Sequence, residues 1–332
     1  MSDRLVVATE EPGPLCEKPF PPALFLGVIR HLAGASPLTQ ILFSMSLPHS
    51  IQELSELLAE QKYLADQGLA TALFLALQMG RPLLLEGSPG VGKTEVAKAL
   101  AGAFGKRLIR LQCYEGIDVS QALYEWDFAR QMVAIRAEEI TAAGPVSISD
   151  QLFSRRFLVE RPLLAALQAG SSAVLLIDEI DRADDEFEAF LLEFLAEFQI
   201  TIPELGTISA DTPPAVVLTS NRTREMHDAL KRRCFYHWID YPTQSREKEI
   251  ILLRAPEVEA LLAEKVVATV ARMRELALLK KPGIAESIDW ASGLQRLQIR
   301  DLEDAAVQQT LGLVLKEHDD LMQIVKEKVV GG

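Results

Sequence analysis

The chain predicts an α/β fold: a parallel five-stranded sheet flanked by helices, followed by a smaller all-helical domain. Three observations predict it. The octapeptide GSPGVGKT, Gly87 to Thr94, directly follows the short apolar run Pro82-Leu83-Leu84-Leu85. Further apolar runs of strand length then alternate with stretches of helical spacing. After Pro242 only the helical spacing remains. Alternating βα units imply a parallel sheet with helices on both faces, and the change of pattern marks a second domain.

Residues 1–48 are Pro-rich and non-periodic around EEPGPLCEKPFPP, which predicts a poorly ordered N-terminal extension, with Met45 a plausible alternative initiator. IQELSELLAEQ and DQGLATALFLALQM read as helices, the second apolar enough to pack on a sheet. The first strand is followed by the glycine loop and by a helix over Thr94 to Ala103. Four more strands are expected at Arg107 to Cys113, Ala173 to Ile177, Ala215 to Thr219 and Cys234 to Ile239, with helices at Leu163 to Ala169 and Phe187 to Phe198 between them. This α/β domain spans 49–243. VEALLAEKVVATVARMRELALL and DLEDAAVQQTLGLVLKEHDDLMQIVKEK carry apolar stripes with charged outer faces, so 244–332 is read as the helical domain.

Composition narrows the function. The 332 residues carry 34 basic and 47 acidic side chains, a net charge of −13. A general binder of nucleic acid or of an anionic membrane needs a positive field, so proteins are the expected partners. The three cysteines have neither metal-ligand spacing nor the density of a disulfide scaffold, and read as reduced cytoplasmic thiols. Five scattered histidines form no ligand pair, and the apolar stretches are too short or too interrupted for membrane insertion.

Chemistry is concentrated in four places. Gly87, Ser88, Pro89, Gly90, Val91, Gly92, Lys93 and Thr94 fit G-x-x-x-x-G-K-[ST], with Glu95 opening the helix behind them. In such a loop the backbone N–H groups converge on a phosphate, Lys93 neutralises its outer oxygens and Thr94 offers a hydroxyl to Mg²⁺. The strand SSAVLLIDEID places Asp178 and Glu179 at the C-terminal edge of a buried strand, the ligand edge of an open α/β sheet. There Asp178 would hold Mg²⁺ through its water shell and Glu179 would polarise an attacking water. AVVLTSN ends a strand in Asn221, whose amide has both a donor and an acceptor for that water or for a terminal phosphate. Arg232 and Arg233 close a helix just before a strand, a position at which cations suit the helix dipole.

These four elements in this order, with the helical C-terminal part, resemble the AAA+ ATPases. More closely, ADQGLATALFLALQMGRPLLLEGSPGVGKTEVAKALA, QCYEGIDVSQALYEWDFARQ and LLIDEIDRADDEFEAFLLEFLAE resemble the MoxR family, and KKPGIAESIDWASGL resembles its CoxD-like accessory ATPases of molybdenum hydroxylases such as aerobic carbon monoxide dehydrogenase. The resemblance covers residues from about 50 to about 330. It implies a cytoplasmic chaperone that uses ATP and Mg²⁺, assembles as a homo-oligomeric ring, usually a hexamer, and remodels or matures a metalloenzyme client, commonly beside a protein with a von Willebrand factor A domain. By resemblance, Gly87, Gly92, Lys93 and Thr94 are the phosphate loop, Asp178 and Glu179 the Mg²⁺ and water-activating pair, and Asn221 the first sensor. Arg233 is the arginine that acts on the neighbouring subunit's nucleotide, with Arg232 as runner-up. One departure stands out. Many relatives have an arginine as second sensor at the start of a lid helix, where this chain reads Ser287-Ile288-Asp289-Trp290, so Arg155 or Arg156 is expected to supply the missing charge.

Three uses of ATP remain: a remodelling chaperone, a nucleic-acid motor, and a slow nucleotide-regulated scaffold. ITIPELGTISADTPP reads as a hairpin of the kind related motors point into a central pore. From Gln199 to Asn221 it has no lysine or arginine, whereas a strand-translocating hairpin needs cations for phosphates. The motor reading therefore ranks behind the chaperone.

Overall fold

A computed structural model describes residues 47–141, 152–302 and 305–330. The expected N-terminal extension lies outside the described residues except for Leu47 and Pro48. Pro48 is buried, and its carbonyl accepts from Gln78 Nε2 at 2.7 Å.

Two helices lead in. α1 (Ile51–Glu60) and α2 (Gln67–Met79) start at side-chain caps, Ser50 on the Glu53 amide and Asp66 on the Leu69 amide. α2 stops at Gly80, whose φ of 60° is the left-handed turn that glycine tolerates. Then follow β1 (Leu83–Gly87), α3 (Lys93–Ala103), β2 (Arg107–Gln112), α4 (Val119–Ala122), β3 (Tyr124–Trp126) and α5 (Phe128–Thr141). After them come β4 (Leu158–Glu160), α6 (Pro162–Ala169), β5 (Ala173–Asp178), α7 (Asp185–Glu197), β6 (Gln199–Ile202), β7 (Gly206–Ser209), β8 (Ala215–Ser220), α8 (Asp228–Arg233) and β9 (Phe235–Ile239).

Five strands form one sheet in the order β2-β5-β8-β1-β9, with every neighbouring pair parallel. Strand periodicity divides its side chains between two apolar layers. Leu84, Ile109, Leu175, Ile177 and Leu218 face α6 and α7, while Leu83, Leu85, Val174, Leu176 and Val217 face α1, α2 and α3. β1 and β5 are buried along their whole length, as befits central strands covered on both faces. All five strands expected from the sequence are present. A two-stranded antiparallel ladder between β3 and β4 was not expected; its strands are three residues each and far apart in the chain. The expected hairpin is the ladder of β6 and β7.

From Gln244 onward the described elements are helical: α9 (Gln244–Arg254), α10 (Ala260–Glu275), α11 (Ile284–Arg296), α12 (Leu311–Val314) and α13 (His318–Lys326), with a 3₁₀ segment at Ala305–Thr310. They share a hydrophobic cluster of their own, centred on Met273, Trp290, Leu294 and Val307. The continuous helical stripe read over 301–328 is thus broken. Leu315 turns extended to bury its side chain, and Asp320 on α13 accepts from the Leu279 and Lys280 amides at 2.7 and 2.9 Å. Tertiary burial wins here over local periodicity.

Candidate nucleotide site

β1, β5 and β8 are adjacent and parallel, so their C-terminal ends open on one edge, and the loop after β1 crosses that edge into α3. The loop has no spare volume. A Cβ on Gly87 would lie 2.2 Å from the Ile239 carbonyl oxygen, and Gly90 and Gly92 have φ of 80° and 93°. Gly92 caps α3 without a side-chain bond, which leaves first-turn amides of α3 open to a ligand.

The Lys93 ammonium donates to the Gly87 and Ser88 carbonyls at 2.8 and 2.9 Å, so two of its three protons brace the loop and the third remains for a ligand. Burial lowers its pKa, while the carboxylates of Asp181, Asp178, Glu179 and Glu86 pull the other way. Thr94 Oγ1 donates to Asp178 Oδ1 at 3.0 Å, and Thr219 donates to the same oxygen. A hydroxyl whose proton is committed to Asp178 turns a lone pair outward, which suits it to a hard cation. Arg110 donates to Asp178 Oδ2 through Nε at 3.0 Å and Nη2 at 2.6 Å.

Glu179 has φ 55° and ψ 49°, a left-handed conformation that few non-glycine residues adopt. Its amide donates to Thr219 Oγ1 at 2.9 Å, and its carboxylate accepts from Gln112 Nε2 at 2.9 Å. Asn221 is aligned through its backbone, whose N–H donates to the buried Asp181 at 3.2 Å. Asp181 also accepts from the Thr223 amide and hydroxyl, which fixes the turn after β8.

A cavity of about 880 Å³ joins these groups. Pro89 to Glu95, Asp178, Glu179 and Asn221 line it, while Gly87 and Ser88 act from behind through their carbonyls. Tyr63, Tyr241, Ile250, Ile284 and Ile288 also line it, apolar and aromatic surface of the kind that suits a nucleoside. The volume, the donor-rich loop and the Thr94–Asp178 pair together fit a nucleoside triphosphate with Mg²⁺. Burial and then the neighbouring carboxylates push the thiol of Cys113, beside Asp178, up to about 12.

The helical elements reach this cavity in two ways. The Ile284 amide at the start of α11 donates to the Gly90 carbonyl at 2.9 Å, and a Cβ on Gly283 would stand 2.7 Å from Gly90 Cα. Arg246 and Arg254 of α9 also line it, and Arg254 Nη2 contacts Glu95 Oε2 at 3.3 Å. Arg155 and Arg156, expected to replace the second-sensor charge, do not line the cavity; Arg156 lies over the Phe157 ring. Asp289 is exposed and also outside the lining. Sequence reasoning missed Arg110, Arg246 and Arg254. Their one signal was a cation two residues before Gln112 and two on a helix just after Pro242.

Arg232 and Arg233 lie off the cavity at the end of α8. The Arg233 guanidinium donates to the Leu192 carbonyl, while the Arg232 side chain is exposed with no bond among the described residues. Arg81 binds both backbones, to the Arg232 carbonyl at 2.7 Å and the Arg233 carbonyl at 3.2 Å, and its guanidinium lies over Phe235.

Residues 82–234 match the AAA domain of the dynein-related subfamily. The architecture is the P-loop AAA fold. The matched span runs from the residue before β1 to the residue before β9. Among curated proteins, the chain is 24% identical over 204 residues to the uncharacterized protein SH1500 of Staphylococcus haemolyticus, covering 60% of this chain and 69% of that one. It is 27% identical over 256 residues to the Lon protease of Mycolicibacterium smegmatis, covering 72% of this chain and 29% of the protease. Among solved structures, the Thermotoga maritima RuvB Holliday junction branch migration motor aligns at 19% identity and TM-score 0.40, over 85% of this chain and 72% of that one. Among the described residues no helix is long and apolar enough to cross a membrane.

Proposed function

We propose that the chain is an ATPase of MoxR type that binds Mg²⁺ and ATP between the β1 loop and α9–α11, and hydrolyses the nucleotide to ADP and phosphate. The observation that carries this reading is the convergence of Lys93, Thr94, Asp178 and Glu179 on one cavity from two segments 84 residues apart in sequence. Mg²⁺ bound there would neutralise charge on the phosphate chain. Thr94 and Asp178 would hold the ion, Lys93 and the α3 amides would cradle the phosphates, and Glu179 would accept the proton of the attacking water, with Asn221 orienting it. Residues 49–243 act as the nucleotide-binding domain and 244–332 as its lid.

The energy of hydrolysis is spent on remodelling a client protein, probed first with metalloenzymes, by a homo-oligomeric ring assisted by a protein with a von Willebrand factor A domain. The sequence motifs support this use. The acidic composition and the cation-free hairpin of β6 and β7 speak against a nucleic-acid motor.

Phosphate release and binding of a fluorescent ATP analogue test the reading together. Glu179→Gln should lower turnover by roughly 10²- to 10⁴-fold while keeping nucleotide bound, and equal turnover in the variant and the wild type removes the assignment. For the ring, Arg233→Ala and Arg232→Ala should each be mixed with Glu179→Gln after subunit exchange is confirmed. Activity returning in one series identifies which arginine serves the neighbour, and silence in both discards a trans arginine at this site.

A further inference from the structure

Both carboxylates at the end of β5 are held from β2. The strands pair in register, Arg110 with Leu176 and Gln112 with Asp178, so two side chains on one face of β2 lie alongside Asp178 and Glu179. Gln112 takes Glu179, and Arg110 takes Asp178 while also reaching Gln112 Oε1.

The two members of the Arg110–Asp178 pair differ in freedom. The Asp178 side chain is 3% exposed and that of Arg110 is 50% exposed. Asp178 Oδ1 is already committed to the Thr94 and Thr219 hydroxyls. The guanidinium therefore covers Oδ2, which otherwise carries only a long 3.3 Å contact from the Thr94 hydroxyl and is the oxygen more open to the water shell of a cation. A buried carboxylate that already carries a guanidinium attracts a second cation less strongly. Arg110 can swing into solvent when another cation takes its place at Asp178, whereas Asp178 has nowhere to go.

We propose that Arg110 is a positioning counter-ion for Asp178, competing with Mg²⁺ for Oδ2 and so setting the Mg²⁺ concentration at which nucleotide is retained. The inference rests on the reading of Thr94 and Asp178 as the Mg²⁺ site. Neither the loop motif nor the acidic pair assigns any role to this arginine. It stands on β2, 68 residues before its partner.

The full-length chain is titrated with Mg²⁺ at a fixed concentration of a fluorescent ATP analogue, and the half-saturating Mg²⁺ concentration is read from nucleotide binding, without turnover. Arg110→Met, which keeps length and loses charge, should lower that concentration roughly tenfold, while Arg110→Lys should stay within about twofold of wild type. Arg110→Gln, which keeps a donor for Oδ2, should move in the same direction as Met and provides the reading if Arg110→Met does not fold. An unchanged or raised half-saturation in the folded neutral variant overturns the role of Arg110. Wild-type binding that ignores Mg²⁺ altogether, with Asp178→Asn behaving as wild type, instead overturns the metal site itself.

Discussion

The sheet edge and the helical elements that face it across the cavity bind by different means. On the sheet side the groups that face the cavity are side chains and amides: the loop, the α3 N-terminus, and the ends of β5 and β8. On the helical side the tightest approach is backbone on backbone, at Gly90 and Gly283, and the charges are two half-exposed arginines. On the function proposed above, the sheet would supply the phosphate chemistry and the helices the shape of the cavity. The start of α11 carries no cation toward the cavity, yet its main chain reaches the loop through the Ile284 amide on the Gly90 carbonyl.

Four substitutions test the division between the sheet side and the helical side. Lys93→Ala should have the largest effect on nucleotide affinity, a loss of about two orders of magnitude, since it removes charge-assisted bonds and the brace on Gly87 and Ser88. Fluorescent-nucleotide titration reads it. Next comes Glu247→Ala, which strands Arg274: the pair is joined by bonds of 2.6 and 2.8 Å, with Ser287 donating to the same carboxylate. Breaking such a buried pair costs about 3–5 kcal/mol, to be measured by urea denaturation, and a loss under about 1 kcal/mol would show that the pair behaves as a surface contact.

Gly283→Ala follows. Its new methyl group would meet Gly90 Cα and O at 2.7 and 2.8 Å, so loop or helix must shift, and nucleotide affinity should fall by roughly tenfold. If it falls as far as in Lys93→Ala, the helices hold phosphate as firmly as the sheet does and the comparison fails. The smallest effect is expected for Arg254→Ala, about twofold in affinity, because its bond to Glu95 is 3.3 Å long and partly exposed. A loss beyond tenfold would make Arg254 the acting lid cation and move charge recognition to the helical side.

The sheet side was largely legible in the sequence because its signals are local. A strand, a glycine loop and a helix stand side by side in GRPLLLEGSPGVGKTEVAKALA, and an apolar run ends in Asp178 and Glu179. The partners of those residues were not legible. Arg110 meets Asp178 across 68 positions, Arg254 meets Glu95 across 159, and Gly283 is an ordinary loop glycine until Gly90 is folded against it. The three-residue strands β3 and β4 left no periodicity to read, and the end of α12 was set by burial of Leu315 rather than by any breaker.

The staple made by Arg81 has a mechanical consequence. Its guanidinium grips the last two carbonyls of α8, the Phe235 amide donates to the Pro82 carbonyl at 2.8 Å, and β9 then runs in register beside β1 from Leu83 to Gly87. At the far end, Gly87 is pressed so closely on Ile239 that even a methyl group has no room. Strands resist compression and shear far better than loops do, and this one has no slack at either end. The carbonyls of Arg232 and Arg233 and the first residue of the GSPGVGKT loop therefore stand at the two ends of one paired strand, about 17 Å apart. β9 thus ties the end of α8 to the first residue of that loop through main-chain pairing with β1.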